Sequence, residues 1–174
     1  MTVRTVLTGL MAAGLLVAES AAGVHWTAPS SWKTEAARPM RAATYTVAAT
    51  AGDKEPGECV AYYFGKGQGG TVEMNILRWK GQFMGADGKM APAKTGEMTV
   101  HGMKVTTIET QGEYSGMGGP MAKEHPKKAG YKLVGAIVDA PEGLIFFKFT
   151  GPVKTVDANQ PAFRKMVESV QKGA

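Results

Sequence analysis

Hydrophobic and polar residues alternate with a period of two along much of the chain, which is typical of β-strands. The stretches that show this pattern are residues 40–50, 58–64, 94–100, 103–114, 131–140 and 144–150. Turn sequences separate neighbouring stretches, with Pro141-Glu142-Gly143 the clearest. Hairpin connections of this kind predict antiparallel pairing.

Two other stretches have helical spacing, which places apolar residues on one face. The first face is formed by Val72, Ile76, Trp79 and Phe83. Thr71 precedes it and is expected to be the N-cap. The second amphipathic stretch covers residues 155–171 and contains Pro161, so we expect its helix to begin near Gln160, with the proline in the first turn.

These elements predict an α+β domain, an antiparallel sheet of about six strands with two helices packed on it. The chain has 174 residues, which suggests one domain. Trp26 and Trp32 flank a turn near its start. They form either a packed hairpin or arm or an aromatic binding platform, and the large apolar area of tryptophan favours packing.

The N-terminus has the three-part pattern of a secretory signal peptide. Arg4 gives a basic start, residues 6–18 are uncharged and apolar, and Ser20-Ala21-Ala22 offers a cleavage signal. We therefore predict a signal peptide over residues 1–22, a mature domain over residues 23–174 and a periplasmic or secreted location. The apolar run is too short to anchor the chain across a bilayer.

The composition limits the possible functions. The net charge of +5 is modest and the basic residues are spread along the chain, so we expect no nucleic-acid partner. Cys59 is the only cysteine, which excludes an internal disulfide. Its position in an apolar strand favours a buried, protonated thiol over a reactive one.

Residues 65–70 satisfy the G-x-G-x-x-G pattern between a predicted strand and a predicted helix. In dinucleotide-binding folds this motif belongs to a parallel βαβ unit with an acidic residue after the next strand. The antiparallel context and the lack of that acidic residue favour a tight structural turn. A small-anion site at the start of the helix, with Lys66 beside it, is the alternative.

Residues 115–130 form a long predicted loop, and loops of this length are usually functional or disordered. Met117, Met121 and His125 lie in it at steps of four residues. Thioether and imidazole groups are suitable ligands for Cu(I), so a metal site is one hypothesis, although methionine also fills gaps in cores. No catalytic serine, histidine or carboxylate arrangement is evident, and we expect neither catalysis nor a cofactor.

One segment carries a resemblance to known proteins. The pattern FGxGQGGxVExNxxRWxxQF, over residues 64–83, resembles a signature of a family of secreted bacterial proteins without an assigned activity. The order of elements is similar to the PsbP-like fold, whose members act as extrinsic subunits or binding partners, generally without catalysis. The resemblance implies an accessory role.

We therefore expect a non-catalytic extracytoplasmic protein that binds a protein or small ligand in the cell envelope, with no membrane span once the signal peptide is removed. The candidate binding residues are the polar members of the signature, namely Lys66, Gln68, Asn75, Arg78 and Gln82. Asn75 and Arg78 have an alternative role, which is to hold the glycine-rich turn at residues 65–70, called the glycine loop below.

Overall fold

A computed structural model describes residues 18–116 and 127–173 of the chain. The helices in these ranges are α1 (Val72–Lys80) and α2 (Val153–Glu168). The strands are β1 (Ala18–Ala21), β2 (Val24–Thr27), β3 (Lys33–Thr34), β4 (Arg41–Val47), β5 (Gly57–Tyr63), β6 (Phe83–Met84), β7 (Ala93–Val100), β8 (Met103–Tyr114), β9 (Lys128–Ala140), β10 (Gly143–Pro152) and β11 (Gln171–Lys172).

The main sheet is antiparallel and has the order β3-β4-β5-β10-β9-β8, with both β6 and β7 paired to the outer side of β8. A small sheet of β1, β2 and β11 lies beside it. The α+β prediction is confirmed, but the main sheet has eight strands where about six were expected. The additional strands β3 and β6 have two residues each, too few to show an alternating pattern.

The hairpin of β9 and β10 lies at the centre of the main sheet and is covered on both faces. Ile145, Phe147 and Phe149 point to the face that carries α2, and all are fully buried. Phe146 and Lys148 point to the face that carries α1, and they are buried as well. Every side chain in the middle of this hairpin is therefore removed from water.

The two tryptophans near the N-terminus belong to the core on the α2 face. Trp26 packs edge-on against Phe147 with ring centroids 5.2 Å apart, and its Nε1 donates a 3.0 Å hydrogen bond to the Tyr45 hydroxyl. Trp32 packs against Phe149 at 5.3 Å. Both tryptophans are buried, so they pack in the core and offer no open aromatic platform.

Helix α2 begins at Val153, seven residues before the expected start, and it accommodates Pro161 in its interior. No side chain of the helix itself caps its first turn. Instead Asp53 Oδ2 accepts hydrogen bonds from the Thr155 N–H at 2.8 Å and the Thr155 hydroxyl at 2.7 Å. A carboxylate at a helix N-terminus satisfies free N–H groups and is favoured by the helix dipole.

Helix α1 starts where the sequence predicts but ends earlier. Thr71 is the N-cap, and its hydroxyl accepts a 3.2 Å hydrogen bond from the Met74 N–H. The helix ends at Gly81, so Phe83, which was expected on its apolar face, lies in β6 instead. Trp79 is buried against Gly135 of β9, where a Cβ atom would lie only 2.5 Å from the indole ring. The helix is thus seated directly on the backbone of the central hairpin.

The predicted signal peptide overlaps the described structure at five residues, 18–22. Ala18–Ala21 form β1 and pair with β2 through a turn at Ala22 and Gly23, both of which have positive φ. Cleavage after Ala22 would remove β1 from the small sheet, so the signal peptide and its boundary stay predictions. No helix in the described ranges is both long enough and apolar enough to cross a membrane.

The contact between Trp79 and Gly135 should control how α1 is seated. We expect Gly135→Ala to lower the free energy of unfolding by about 1–3 kcal/mol, because the new methyl group overlaps the indole ring. Gly81→Ala is the matched control. Gly81 has φ of −63° and no close neighbour, so alanine there should be neutral or stabilising by about 0.4–1 kcal/mol. Urea unfolding measures both, and equal stability of the two variants would contradict this packing.

Candidate functional site

An open pocket lies on the α1 face of the sheet, just beyond the C-terminal end of the helix. Its volume is about 520 Å3, within the usual range for small-molecule sites. Strands β4, β5, β8, β9 and β10 each contribute side chains to it. We call it the Lys148 pocket, and its lining is Arg41, Glu55, Pro56, Glu58, Val60, Tyr62, Tyr114, Lys128, Tyr131, Lys148 and Thr150.

Lys148 lies at the bottom of this pocket and is only 5% exposed. Its Nζ donates a 2.7 Å hydrogen bond to Gln82 Oε1 and lies 5.6 Å from the centre of the Tyr114 ring. It forms no salt bridge with any carboxylate in the described ranges. An ammonium group has three donors, and a single described acceptor leaves two for a ligand or water.

Burial lowers the pKa of Lys148 to about 8, because desolvation penalises the charged amine. The positive charges of Arg41 and Arg78 lower it further, while the negative charge of Glu58 works in the opposite direction. The group is therefore still largely protonated at neutral pH, although its charge is costly where it lies.

Lys132 provides an internal comparison, because it is also buried and lies on the same hairpin but on the opposite face. Its Nζ lies 2.6 Å from Glu109 Oε1 and 2.7 Å from Asp157 Oδ1. Burial acts to lower the pKa of Lys132, but its hydrogen bonds to the two carboxylates outweigh burial and raise it. The fold neutralises this buried lysine and leaves Lys148 without such a partner among the described residues.

Aromatic rings form the walls of the pocket. Tyr114 and Tyr131 stack with centroids 5.8 Å apart, and Tyr62 stacks on Phe64 at 6.0 Å. Burial raises the pKa of Tyr114 to about 12 and also raises the pKa values of Tyr62 and Tyr131. These hydroxyls are therefore neutral across the physiological range and serve as hydrogen-bonding groups rather than charges.

The charges at the rim are arranged in opposite pairs. Arg41 Nη1 lies 3.2 Å from Glu58 Oε2, and Lys128 pairs with Glu55, which also accepts a hydrogen bond from the Tyr131 hydroxyl. Hydrogen bonds from Lys128 and Tyr131 lower the pKa of the Glu55 carboxyl. The two rim pairs cancel, so the Lys148 ammonium is the charge in the pocket that they leave unbalanced.

Thr150 supplies a further polar group on the floor. It follows Lys148 by two residues on β10, so both side chains point to the same face. Its buried Oγ1 has no hydrogen-bond partner in the part of the chain that the structure describes. Buried polar atoms are nearly always paired in folded proteins, so this hydroxyl is an unusual polar group on the same strand and face as Lys148.

The residues predicted as a binding surface lie in different places. Gln82 is buried and holds Lys148. Lys66 and Gln68 are exposed on the glycine loop, which lies against the β9–β10 turn near Gly143, at the other end of the hairpin. Of the predicted loop at residues 115–130, residues 117–126 lie outside the described ranges, and residues 128–130 belong to β9.

Asn75 and Arg78 have different surroundings. Asn75 is 2% exposed, and its Nδ2 donates 2.8 Å hydrogen bonds to the carbonyl oxygens of Gly69 and Thr71. It therefore holds the glycine loop on the helix, as the alternative interpretation expected. Arg78 is exposed on α1, close enough to Lys148 to affect its pKa.

The Cu(I) hypothesis concerns residues that the structure does not describe, because Met117, Met121 and His125 all lie within residues 117–126. Within residues 18–116 and 127–173, no group of three or more histidine, cysteine or carboxylate side chains could hold a metal ion. Cys59 is fully buried and burial raises the pKa of its thiol, as a structural cysteine requires. The copper site stays a prediction.

Sequence reasoning missed most of the Lys148 pocket. By alternation along β10, Lys148 falls on the face opposite Ile145 and Phe147, which a sheet covered on one face only would leave in solvent. A signal was available, because Leu144 and Phe146 share the parity of Lys148 and are also apolar. A strand that is apolar at both parities is covered on both faces, so a lysine within it is buried.

Comparison with solved structures finds the same fold at low sequence identity. LpqN of Mycobacterium tuberculosis, involved in cell envelope biogenesis, has a TM-score of 0.59 and 10% identity over 87% of this chain and 83% of its own. Protein PA94 from Pseudomonas aeruginosa, of unknown function, has a TM-score of 0.50 and 11% identity over 91% and 97%. Cyanobacterial PsbP (CyanoP) from Synechocystis sp. PCC 6803 has a TM-score of 0.50 and 12% identity over 96% and 99%.

These likenesses support the PsbP-like fold that the order of elements suggested. No family model matches the sequence, and no curated protein matches it either. The resemblance of residues 64–83 to a family signature therefore stays a prediction.

The unneutralised lysine should be visible in the pH dependence of stability. Below pH 8 Lys148 is protonated in both the folded and the unfolded chain. Between pH 8 and the ordinary lysine pKa of 10.5, only the unfolded chain keeps the proton. The state that holds more protons loses stability as pH rises, so this group makes the folded state more stable with increasing pH in that window.

We therefore expect the unfolding free energy of the wild type, relative to Lys148→Met, to increase by about 2–3 kcal/mol between pH 7 and pH 10. Denaturant titrations at several pH values measure this difference, and taking the difference removes the contributions of other titrating groups. A constant difference, or one that falls with pH, would show that Lys148 is not desolvated.

Alanine variants of Asn75 and Arg78 should show that the first residue stabilises the fold and that the second lies on the surface. We expect Asn75→Ala to lower the free energy of unfolding by about 1–3 kcal/mol, because two carbonyl groups lose their donor. Arg78→Ala should change stability by less than about 0.5 kcal/mol, since the side chain is exposed. Thermal unfolding of the two variants tests this, and a larger loss for Arg78→Ala would reverse the assignment.

Proposed function

We propose that the protein is a non-catalytic, extracytoplasmic accessory protein that acts by binding, and that the Lys148 pocket is its binding site. The observation that carries the proposal is the buried ammonium of Lys148, which has one hydrogen bond to Gln82 and no carboxylate partner among the described residues. A ligand or partner that reaches into the pocket would supply the missing negative charge.

The energetic cost of this arrangement supports a functional role. A buried charge without a partner costs several kcal/mol unless other groups compensate. Lys132, on the opposite face, is compensated by Glu109 and Asp157. Costly local arrangements that the fold maintains tend to occur at functional sites.

The extracytoplasmic location has two supports. The N-terminus carries the three-part pattern of a signal peptide over residues 1–22. LpqN, which shares the fold, is involved in cell envelope biogenesis. The absence of catalysis rests on the implied accessory role of PsbP-like proteins, of which cyanobacterial PsbP is a structural neighbour. Fold alone does not determine function, so the site has to carry the test.

The test compares three tagged full-length chains: wild type, Lys148→Met, and Lys165→Met as the matched control. Lys165 is an exposed lysine on α2, on the opposite face of the sheet. Each chain is produced in the native host and recovered without denaturation. Its mass is measured by native mass spectrometry, separately for each cell fraction.

We expect the protein in the envelope or secreted fraction, with an added mass on the wild type and on Lys165→Met that Lys148→Met lacks. An identical added mass on all three chains, or no added mass on any of them, would contradict the pocket as the binding site. Recovery only from the cytoplasmic fraction would contradict the proposed location.

A further inference from the structure

We infer that the Lys148 pocket binds a small monocarboxylate with an aromatic or similarly flat apolar body, its carboxylate on the Lys148 ammonium and its body against the tyrosine walls. This inference names the ligand class of the proposed binding site and so rests on that proposal. It rests on the charge, the aromatic walls, the size and the unpaired donors of the pocket.

The charge of the pocket fits an anion with one negative charge. Arg41 is neutralised by Glu58 and Lys128 by Glu55, which leaves Lys148. A doubly charged phosphate would need a second unpaired cation in the lining, and Arg78, although near Lys148, is outside the lining. It would also approach the rim carboxylates Glu55 and Glu58. A single carboxylate balances the site without breaking either rim pair.

The walls of the pocket fit a flat apolar body. Three cations each lie over a tyrosine ring: Arg41 over Tyr62 at 5.6 Å, Lys128 over Tyr131 at 5.3 Å, and Lys148 over Tyr114 at 5.6 Å. Cations and rings are thus packed together in the lining. An aryl group that enters the pocket can pack on a guanidinium plane or on the edge of a tyrosine ring.

The size of the pocket sets the scale of the ligand. A cleft of about 520 Å3 is larger than a free inorganic anion needs, and it has room for a body of one or two rings. Val60 and Pro56 add apolar groups to the lining. An anion without an apolar body would leave this surface facing water and gain little from it.

The unpaired donors on the floor fit the two oxygens of a carboxylate. Lys148 Nζ donates to Gln82 Oε1 at 2.7 Å and has two further donors. These two donors suit the two oxygens of a carboxylate, which a neutral amide would match less well.

The experiment uses 2-naphthoate as the probe, because it has two rings and one carboxylate. Its neutral isostere 2-naphthamide tests the charge, and inorganic phosphate tests the apolar body. Isothermal titration calorimetry at pH 7 measures each probe against the full-length wild type, Lys148→Met and the exposed-lysine control Lys165→Met. Two-dimensional amide NMR of the wild type locates the bound probe without relying on any variant.

We expect 2-naphthoate to bind the wild type and Lys165→Met with a dissociation constant of about 1 mM or lower. Binding of 2-naphthamide to the wild type, and of 2-naphthoate to Lys148→Met, should each be weaker by about tenfold or more, since both lack one member of the ion pair. Amide shifts should be concentrated in β5, β10 and the residues around Gln82.

Several results would overturn the inference. These are no binding of 2-naphthoate up to about 10 mM, equal binding of naphthoate and naphthamide, phosphate binding as tight as naphthoate, or amide shifts centred on the glycine loop. If 2-naphthoate does not bind, but the added mass on the protein recovered from cells is still lost in Lys148→Met, the ligand class is wrong and the proposed function stands. If that mass does not depend on Lys148, the proposed function fails.

Discussion

The central β9–β10 hairpin is covered on both faces, α2 packing on one and α1 with the tyrosine walls on the other. Any charge in the middle of this hairpin is therefore desolvated, and the fold must either neutralise that charge or bear its cost. Lys132 and Lys148 represent the two outcomes. The first is held by two carboxylates, whereas the second faces a pocket with one amide oxygen as its described acceptor.

The segment from Phe64 to Phe83 links this constraint to the pocket. Gly69 lets the loop pass close to Phe64 and Phe146, where a Cβ atom would lie 2.7 Å from the Phe64 ring. The loop leads into α1, and Trp79 seats the helix on Gly135. After the helix ends, Gln82 reaches Lys148. The glycine motif therefore sets the position of α1 on the sheet. That position places Gln82, just after the helix, where it accepts the hydrogen bond from Lys148.

Local sequence patterns predicted the helix and strand positions that neighbouring residues determine. Alternation gave the strands of the central hairpin, and the Thr71 cap marked the start of α1. The start of α2 could not be predicted, because its cap comes from Asp53, about a hundred residues earlier in the chain. The pocket was equally hidden, since the pairing of Lys128 with Glu55 depends on strand order that no short window of sequence contains.

The most direct test of this account is the pKa of Lys148 itself. Carbon-13 NMR of the lysine Cε atoms in the full-length protein can follow its titration, with Lys148→Met used to assign the signal. The account predicts a midpoint near 8 in the free protein. It also predicts a higher midpoint when 2-naphthoate is bound, because a carboxylate stabilises the ammonium form. A midpoint near the ordinary value of 10.5 in the free protein would contradict it.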